Sequence, residues 1–437
     1  MKMDVEEEEE GEKSSVQAEV APALIAVHPL EKSVVVAAGS QLRAFDLQGD
    51  CSISLLDDSG GHSHTDPIRA ICFAAKGRLF ASAGDDKLVK IWNTNSWHCI
   101  QTVCSEKRVS AVAISHDGLF LTFADKFGAV WIVGLDRDGE SETLVNEKPA
   151  PLFAHYCSII TSLEFSPDGQ FIASADRDFK IRVTVFPKTP LNGAHEIQSF
   201  CLGHTEFVSC LAFVCTLEYP QGFLLSGSGD STVRLWDFIS GRLLDTCQVG
   251  AKAELLESNG GEEFYPAVTD LHASSNGSLI AVAIQSLHGV MLLSCDFSAR
   301  TLSVAKIVSV RERFIPTSLG MSDSAERLWM VTGASNLSAA GSVPLACVRV
   351  ISGLEKGSLD SSSGREPVVL GDDAVPGGDK LLENLQGSIT LVKEEKALAA
   401  AAEAVKMAMR NLLIKRQYSV DKRELRKKGR NDKKLKQ

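Results

Sequence analysis

The sequence lacks the short motifs that mark most enzymes, metal proteins and membrane proteins. It has no GxxxxGK[ST] phosphate loop, no GxGxxG after an apolar strand, no GxSxG elbow and no HExxH helix. None of its eleven cysteines stands in a CxxC pair, which favours reduced, buried thiols over zinc or disulfides. It also has no run of about 18 uncharged apolar residues, and its first residues are acidic. We therefore expect neither a membrane span nor a secretory signal.

The charge of the chain is concentrated at its two ends. The net charge is −11, yet the acids cluster from Asp4 to Glu12 and eleven Lys/Arg face three acids between Lys415 and Gln437. With 44% hydrophobic residues, the chain between these ends can bury a full core. We expect a folded body with two disordered charged tails. The basic tail could bind a polyanion, act as a nuclear import signal, or simply be a solvated end, and on the Lys/Arg cluster we expect the protein in the nucleus.

One segment, Gly203 to Asp237, carries the period-defining pattern of a WD40 blade. It reads GHTEFVSCLAF, an insertion, and then LLSGSGDSTVRLWD. The alternating apolar runs predict strands, and Gly229-Asp230 predicts the tight turn between two of them. Four residues are expected to tie loop, turn and strand together by side-chain hydrogen bonds: His204, Ser226, Asp230 and Trp236.

Uneven copies of this pattern recur along the chain. Asp86, Asp125 and Asp178 are each followed six residues later by Trp92, Trp131 or Thr184, and weaker copies span 23–47, 267–295 and 317–352. The count predicts an all-β, seven-bladed WD40 β-propeller with a C-terminal helical extension, although six or eight blades also fit the spacing. The expected boundaries are an acidic N-terminus at 1–15, the propeller at 16–352, a flexible loop at 353–380, and a helix followed by the basic tail at 381–437. A strand near 16–20 could complete the last blade, and 251–264 is expected to be a surface loop.

Candidate chemistry is sparse, because the polar residues fit the blade pattern. His64, His155 and His204 recur at one position in different blades, so we interpret them as structural, with no metal or cofactor site. The turn cations are more informative, since such turns are exposed on one face of a propeller. Lys126 and Arg177 follow turn aspartates in adjacent blades, where a helix bearing carboxylates could pair with them.

Three runs go beyond the generic pattern: SADRDFKIRV (174–183), IQSFCLGHTEFVSCLAF (197–213) and LLSGSGDSTVRLWDFISGRLLDTC (224–247). They resemble the WD-repeat, non-catalytic subunit of the tRNA (guanine-N7)-methyltransferase complex. The resemblance implies a heterodimer in which a separate subunit holds S-adenosylmethionine and methylates a guanine of the tRNA variable loop. It also implies that Lys126, Asp176, Arg177 and Lys180 face this catalytic subunit. The basic residues that would then suit tRNA phosphates are Lys415, Arg416, Lys422, Arg423, Arg426, Lys427, Lys428 and Arg430.

One residue departs from the pattern, and two other functions compete with this one. Thr184 stands where a blade normally has Trp, which we expect to loosen that blade's hydrogen bonds. A ubiquitin-ligase substrate receptor or a chromatin-peptide reader is the main alternative, but Trp236-Asp237-Phe238-Ile239 lacks the Arg of the WDxR motif found in many ligase receptors. An enzyme acting through its central channel is disfavoured, because no convergent acid, base or metal set is visible.

Overall fold

In the computed structural model, seven four-stranded antiparallel sheets stand side by side in a closed ring. The structure describes residues 21–57, 64–74, 76–135, 148–155, 158–255, 257–259, 262–311, 314–334, 345–354 and 366–386. The innermost strand of each sheet contacts the innermost strands of the sheets on either side, and the first contacts the seventh. This arrangement is a β-propeller, so the prediction of an all-β fold with seven blades is confirmed.

Each blade uses four consecutive strands, ordered from the central channel to the rim. The strands of blades 1 to 4 are β1 (Leu24–Val27), β2 (Ser33–Ala38), β3 (Gln41–Asp46), β4 (Cys51–Ile53); β5 (Ile68–Phe73), β6 (Leu79–Gly84), β7 (Leu88–Asn93), β8 (His98–Cys104); β9 (Val109–Ile114), β10 (Phe120–Asp125), β11 (Ala129–Gly134), β12 (Ala150–Ala154); β13 (Ile160–Phe165), β14 (Phe171–Asp176), β15 (Lys180–Val185) and β16 (Ile197–Leu202).

The later blades follow the same order, and a few additional elements stand between strands, one of them in blade 4 and the others after β20. The strands of blades 5 to 7 are β17 (Val208–Val214), β18 (Phe223–Ser228), β19 (Val233–Asp237), β20 (Arg242–Cys247); β23 (Val268–Ala273), β24 (Ile280–Ile284), β25 (Gly289–Asp296), β26 (Thr301–Ser309); β27 (Ser318–Met321), β28 (Arg327–Ala334), β29 (Leu345–Ser352) and β30 (Val368–Val369). The additional elements are a hairpin of β21 (Glu257–Asn259) and β22 (Glu262–Phe264), helices α1 (Val249–Lys252) and α2 (Gly378–Gln386), and 3₁₀ turns at Pro190–Asn192 and Asp372–Ala374.

The second strands of the blades are buried on both faces, because each sheet is packed between two neighbours. Strand β2, SVVVAA, is buried along its whole length, as is β24, IAVAI. Such near-continuous apolar runs are typical of strands covered on both sides. The turn after the inner strand is fixed by polar residues: Ser115 Oγ donates to Asp117 Oδ1 at 2.5 Å, and Gly118 adopts φ = +70°. Asp168-Gly169 repeats this turn in blade 4. Asp-Gly pairs favour such turns, so both turns agree with the sequence.

Hydroxyl groups on the inner strands join each blade to the next one. In blades 3 to 7, a Ser or Thr near the start of the inner strand donates to a backbone carbonyl of the following blade. These bonds are Ser110 to Ile160 (2.7 Å), Thr161 to Val208 (2.6 Å), Ser209 to Val268 (2.6 Å), Thr269 to Pro316 (3.1 Å) and Thr317 to Ala23 (2.6 Å). The last bond joins blade 7 to blade 1, so the same contact that links blades also closes the ring.

No strand is exchanged between blades 7 and 1 in the described part of the chain. The fourth strand of blade 7 is β30, which follows β29 in the sequence. It lies within 353–380, where a flexible loop was expected, and one of the 3₁₀ turns lies there too. Likewise 251–264, also expected to be a loop, contains part of α1 and the hairpin. Residues 16–20, the candidate strand for the last blade, lie outside the described residues.

Helix α2 bridges blades 7 and 1 from the outside. Its side chains Leu381, Leu382 and Leu385 are buried in one cluster with Phe45 of blade 1 and Trp329 of blade 7. At its C-terminal end, Gln386 Oε1 accepts the backbone N–H of Val348 at 2.9 Å, and Arg43 donates to the carbonyl of Leu385 at 3.3 Å. The helix predicted to begin near 381 is therefore part of the ring closure.

The direction of α2 follows from its ends. Lys380 Nζ lies 2.7 Å from Asp50, in the turn between β3 and β4. The end of α2 lies beside Arg43, close to the opposite turn between β2 and β3. The helix thus runs towards the face that carries the second-to-third-strand turns of every blade, which we call the turn face. Neither described helix is long and apolar enough to cross a membrane.

Candidate partner-binding face

Blade 5 contains the hydrogen-bond chain expected from its sequence. Trp236 Nε1 donates to Ser226 Oγ (2.8 Å), which lies 2.7 Å from His204 Nε2, while His204 Nδ1 lies 2.9 Å from Asp230 Oδ2. Since an indole only donates and a carboxylate only accepts, the chain runs from Trp through Ser and His to Asp. Burial alone would raise the pKa of Asp230, but the hydrogen bonds from His204 and Thr232 lower it to about 2.

Blades 2 and 4 repeat this chain, but blade 4 departs from it at two positions. In blade 2, His64 bonds Ser82 and Asp86, and Trp92 completes the chain. In blade 4, His155 lies 2.8 Å from Ser174 and 2.9 Å from Asp176, but the buried Thr184 stands in place of Trp. The carboxylate of this set is Asp176 and not Asp178, which the six-residue spacing to Thr184 predicted, because Asp176 ends β14 beside His155 and its Oδ1 accepts the N–H of Asp178. Blade 4 therefore keeps a His–Ser–Asp set and lacks the indole end. The three histidines each bind the carboxylate of their own blade, which is the structural interpretation given above.

In blade 4, Arg182 bonds the threonine that stands in place of the indole, and blade 5 has Arg234 at the matching position. Arg182 Nε donates to Thr184 Oγ1 at 3.1 Å, and its Nη1 donates to the carbonyl of Ala154 in blade 3 at 3.2 Å. The guanidinium also lies 4.7 Å from the ring centroid of Phe153 on the same blade. Arg182 thereby ties blade 4 to blade 3 along their outer halves.

The two turn cations occupy matching positions in blades 3 and 4. In each turn, the aspartate accepts backbone N–H groups of the residues that follow: Asp125 Oδ1 from Phe127 at 2.8 Å, and Asp176 Oδ1 from Asp178 at 2.8 Å. Lys126 and Arg177 come directly after these aspartates, on the turn face. Partial burial lowers the pKa of Arg177 from its usual value, against the opposing effect of Asp178. The structure thus brings Lys126 and Arg177 onto one face of adjacent blades.

Asp176 and Lys180, which the resemblance also assigned to this face, differ in accessibility. Asp176 is only 2% exposed and also accepts the backbone N–H of Lys180 at 3.1 Å. Its carboxylate holds the turn, so any effect on a partner would act through the position of Arg177. Lys180 is exposed at the start of β15. Partner contact for all four residues stays a prediction.

Two phenylalanines beside these cations were missed by the sequence reasoning. Phe127 is 66% exposed and Phe179 is 39% exposed, in the same two turns. Lys107 Nζ, from the preceding connection, lies 5.4 Å from the ring centroid of Phe127. An aromatic residue one or two positions after a turn cation is a signal that the sequence could have given, because such turns are exposed and rarely need a large apolar side chain.

The basic residues assigned to RNA all lie outside the described residues: Lys415, Arg416, Lys422, Arg423, Arg426, Lys427, Lys428 and Arg430. The described chain ends at Gln386, on the side of α2 near the turn face. Among the described residues, no group of three or more His, Cys, Asp or Glu side chains could hold a metal ion.

Comparison with known proteins agrees with the family resemblance. The family described as "tRNA methyltransferase TRM82 WD40 domain" matches residues 150–343, and the "WD domain, G-beta repeat" family matches 54–93. Solved structures share the fold: "Structure of U3-55K" has a TM-score of 0.58 at 20% identity and covers 71% of this chain and 88% of that one. At this identity the likeness shows only the propeller architecture.

Curated relatives named "tRNA (guanine-N(7)-)-methyltransferase non-catalytic subunit WDR4" are more similar. The Mus musculus protein is 32% identical over 283 residues, which is 60% of this chain and 62% of that protein. The Xenopus laevis protein is 31% identical over 317 residues, or 69% of this chain and 74% of that protein. The Homo sapiens protein is 35% identical, but the match covers only 45% of this chain and 44% of that protein. The chain thus matches less than two thirds of the length of the mouse and human relatives. These matches, above all the one to the Xenopus laevis protein, show that the chain belongs to the family of WD-repeat non-catalytic subunits of tRNA (guanine-N(7)-)-methyltransferase.

Proposed function

We propose that this chain is a scaffold that binds and stabilises the catalytic subunit of a tRNA (guanine-N7)-methyltransferase. The catalytic subunit would hold S-adenosylmethionine and form N7-methylguanosine in the tRNA variable loop. The observation that carries the proposal is the pair of matched turns in blades 3 and 4, in a chain of this family. A propeller is suited to such a task, because its rigid ring holds surface turns in fixed relative positions.

The docking contact would be mainly electrostatic at the turn face. Lys126, Arg177 and Lys180 offer three cations, and the backbone of each turn is held by a buried aspartate. A partner helix with carboxylates would meet cations whose backbone positions are already fixed, which reduces the entropy lost on binding. The turn between Asp176 and Lys180 is thus expected to fix the position of Arg177 as well as to present it.

The basic tail would add contacts to tRNA. It follows α2, whose end lies near the turn face where the catalytic subunit would dock. Lys and Arg side chains neutralise phosphates without reading sequence, so the tail would raise the affinity for tRNA and leave the choice of guanine to the partner. We propose a nuclear location on the same basic cluster.

The function is tested by deleting the gene and measuring N7-methylguanosine in bulk tRNA by mass spectrometry. Loss of the modified base, restored by the wild-type chain, is expected. Affinity purification should recover an S-adenosylmethionine-dependent methyltransferase with the chain. Unchanged tRNA methylation in the null strain contradicts the proposal.

The docking face is tested by Arg177→Glu, with Arg242→Glu as a matched control. Arg242 is exposed at the start of β20, next to the turn between β19 and β20, on the opposite face. Arg177→Glu should weaken binding to the catalytic subunit by about tenfold or more, since close interfacial charge pairs couple by roughly 1.5 kcal/mol upward. Equal binding by both variants would remove Arg177 from the interface.

A further inference from the structure

Exposed apolar side chains are concentrated on the outer strand of blade 4. In β16, Ile197 is 42% exposed, Phe200 45% and Leu202 60%. No other outer strand that the structure describes has more than one large apolar side chain of this kind, as Ile100 in β8 and Leu243 in β20 illustrate. Edge strands of soluble proteins normally carry charged or polar residues, so three exposed apolar residues on one edge indicate a surface that is covered in use.

These three side chains lie on one face of the blade 4 sheet, which we call the apolar strip (Ile197, Phe200 and Leu202). Phe200 pairs with Arg182 and Leu202 with Lys180, and residues directly opposite in a sheet share a face. A bulge between Val183 and Thr184 then brings Ile197 opposite Thr184, which is two residues from Arg182. Because Arg182 contacts Ala154 and Phe153, this face looks towards blade 3.

The other face of the same strands is occupied. Ile181, Val183 and Cys201 are buried in one cluster with Trp236 and Phe238 of blade 5. The apolar strip therefore faces the gap between the outer edges of blades 3 and 4, which is wider than the gap near the channel because blades diverge outward. The strip is open to solvent there, as its exposed fractions show.

The strip ends at the cationic turn. Leu202 is paired with Lys180, and the chain before Lys180 contains Phe179 and Arg177 at the turn face. The apolar surface along the outer edge of blade 4 is thus continuous with the cations at the turn face of the same blade. A second copy of this chain would bring mainly like charges to that end, whereas a segment with carboxylates at one end would match both parts.

We propose that the apolar strip binds an amphipathic segment of the catalytic methyltransferase subunit. The apolar side of this segment would cover Phe200 and Leu202, and its acidic end would reach Lys180 and Arg177. The proposal rests on the proposed function and extends its interface from the turn face down the outer edge of blade 4. It also assigns the interface an apolar core, whose burial would supply affinity that exposed ion pairs do not.

The experiment uses the full chain and the purified catalytic subunit of the same organism, with the dissociation constant measured by calorimetry. The test variant is Phe200→Ser with Leu202→Ser, and the matched control is Ile100→Ser with Leu243→Ser, two exposed apolar residues on other outer strands. We expect about a tenfold or greater loss of affinity for the test variant and less than a twofold change for the control. Thermal unfolding of both variants checks that the ring is intact.

The outcomes separate this proposal from the one it rests on. If Arg177→Glu weakens binding and the strip variant binds as wild type does, the strip proposal is overturned and the docking face stands. If wild-type chain and catalytic subunit do not bind, both proposals fail. If light scattering shows a dimer of this chain that the strip variant abolishes, the occupant is a second copy and the proposal is again overturned.

Discussion

Blades 4 and 5 are neighbours with the same strand order, but blade 5 is distinguished by its buried hydrogen bonds and blade 4 by its exposed side chains. Blade 5 has the complete chain from Trp236 to Asp230, and that chain is buried. Blade 4 keeps the histidine end, replaces the indole by Thr184, and shows three exposed apolar residues on β16 beside its turn cation. The residues that identify the fold most clearly are thus buried in blade 5, whereas the turn cation and the exposed apolar strand lie in blade 4.

The difference separates residues that hold the ring from residues that present a surface. Members of the first group are buried and bonded within the chain, so changing them should lower stability without altering the binding of folded protein. Members of the second group are exposed, so changing them should alter binding without altering stability. The following predictions test this separation, from the largest effect to the smallest.

The largest effect is expected from removing α2, which belongs to the group that holds the ring. A chain ending at Gly377 loses Leu381, Leu382 and Leu385, and each buried leucine contributes about 1.5–3 kcal/mol. A chain ending at Gln386 keeps the helix and serves as the control. Thermal unfolding should give a much lower Tm for the shorter chain only, and equal Tm values for the two would remove α2 from the ring closure.

Asp230→Ala should break the buried chain of blade 5. It leaves His204 and Thr232 without their acceptor, at a cost of about 2–4 kcal/mol in the free energy of unfolding. Asp296→Ala, at the exposed end of β25, is the control and should cost far less. At low temperature, where the Asp230→Ala variant remains folded, it should bind the catalytic subunit with wild-type affinity. Weaker binding by that folded variant would show that the two groups of residues are not separate.

Glu164→Gln tests whether blade 4 also differs from blade 5 on the innermost strand. Glu164 lies on β13, and blade 5 has Ala212 at the matching position of β17. Burial, with a contribution from Asp270, raises the pKa of Glu164 from 4.5 to about 8. The folded state therefore holds a proton that the unfolded state releases above pH 4.5, and stability from this group is lost as the pH rises towards and through 8. The Tm of the variant minus that of wild type should grow between pH 5 and 8.5 on the order of a few degrees.

A matched control for this pH series is Glu218→Gln, because Glu218 lies in an exposed loop. Its Tm difference from wild type should stay flat over the same pH range. A flat difference for Glu164→Gln as well would mean that this carboxyl is ionised in the folded protein at neutral pH.

Phe127→Ser should have the smallest effect, on the surface side of the comparison. The side chain is 66% exposed and lies under Lys107, in a contact typically worth about 0.5–1 kcal/mol at exposed sites. We expect a few-fold loss of affinity for the catalytic subunit in calorimetry and only a small decrease in Tm, because the contact with Lys107 is exposed. Leu217→Ser, fully exposed on the opposite face, is the control, and an equal response of the two variants would exclude Phe127 from the interface.

The sequence predicted the turns better than the surfaces. The histidines, the Asp-Gly connections and the turn aspartates of blades 2 and 5 could be placed because each depends on neighbours within one blade. In blade 4 the six-residue spacing pointed to Asp178, whereas Asp176 bonds the histidine. The exposed strip on β16 could not be found in this way. Its sequence, IQSFCL, is no more apolar than a buried strand, and only its place at the outer edge of a diverging gap leaves Phe200 and Leu202 in solvent.

The ring closure was also outside the reach of sequence reasoning. A strand near 16–20 was a reasonable candidate for the last blade, yet β30 completes blade 7 and α2 covers its junction with blade 1. Two valines and three leucines carry these contacts, and such short apolar groups give no periodic signal of their own. Their partners are more than three hundred residues away along the chain in the case of Arg43 and Leu385.

The amino-acid order alone determined the blade plan and the family, because local hydrogen bonds between residues about 20 positions apart require particular side chains at particular spacings. Only the tertiary structure decided which apolar residues are exposed, where helix α2 packs on the ring, and how the ring closes. Those features depend on which strands become neighbours and on which face each side chain meets them, and a sequence period carries no information about either.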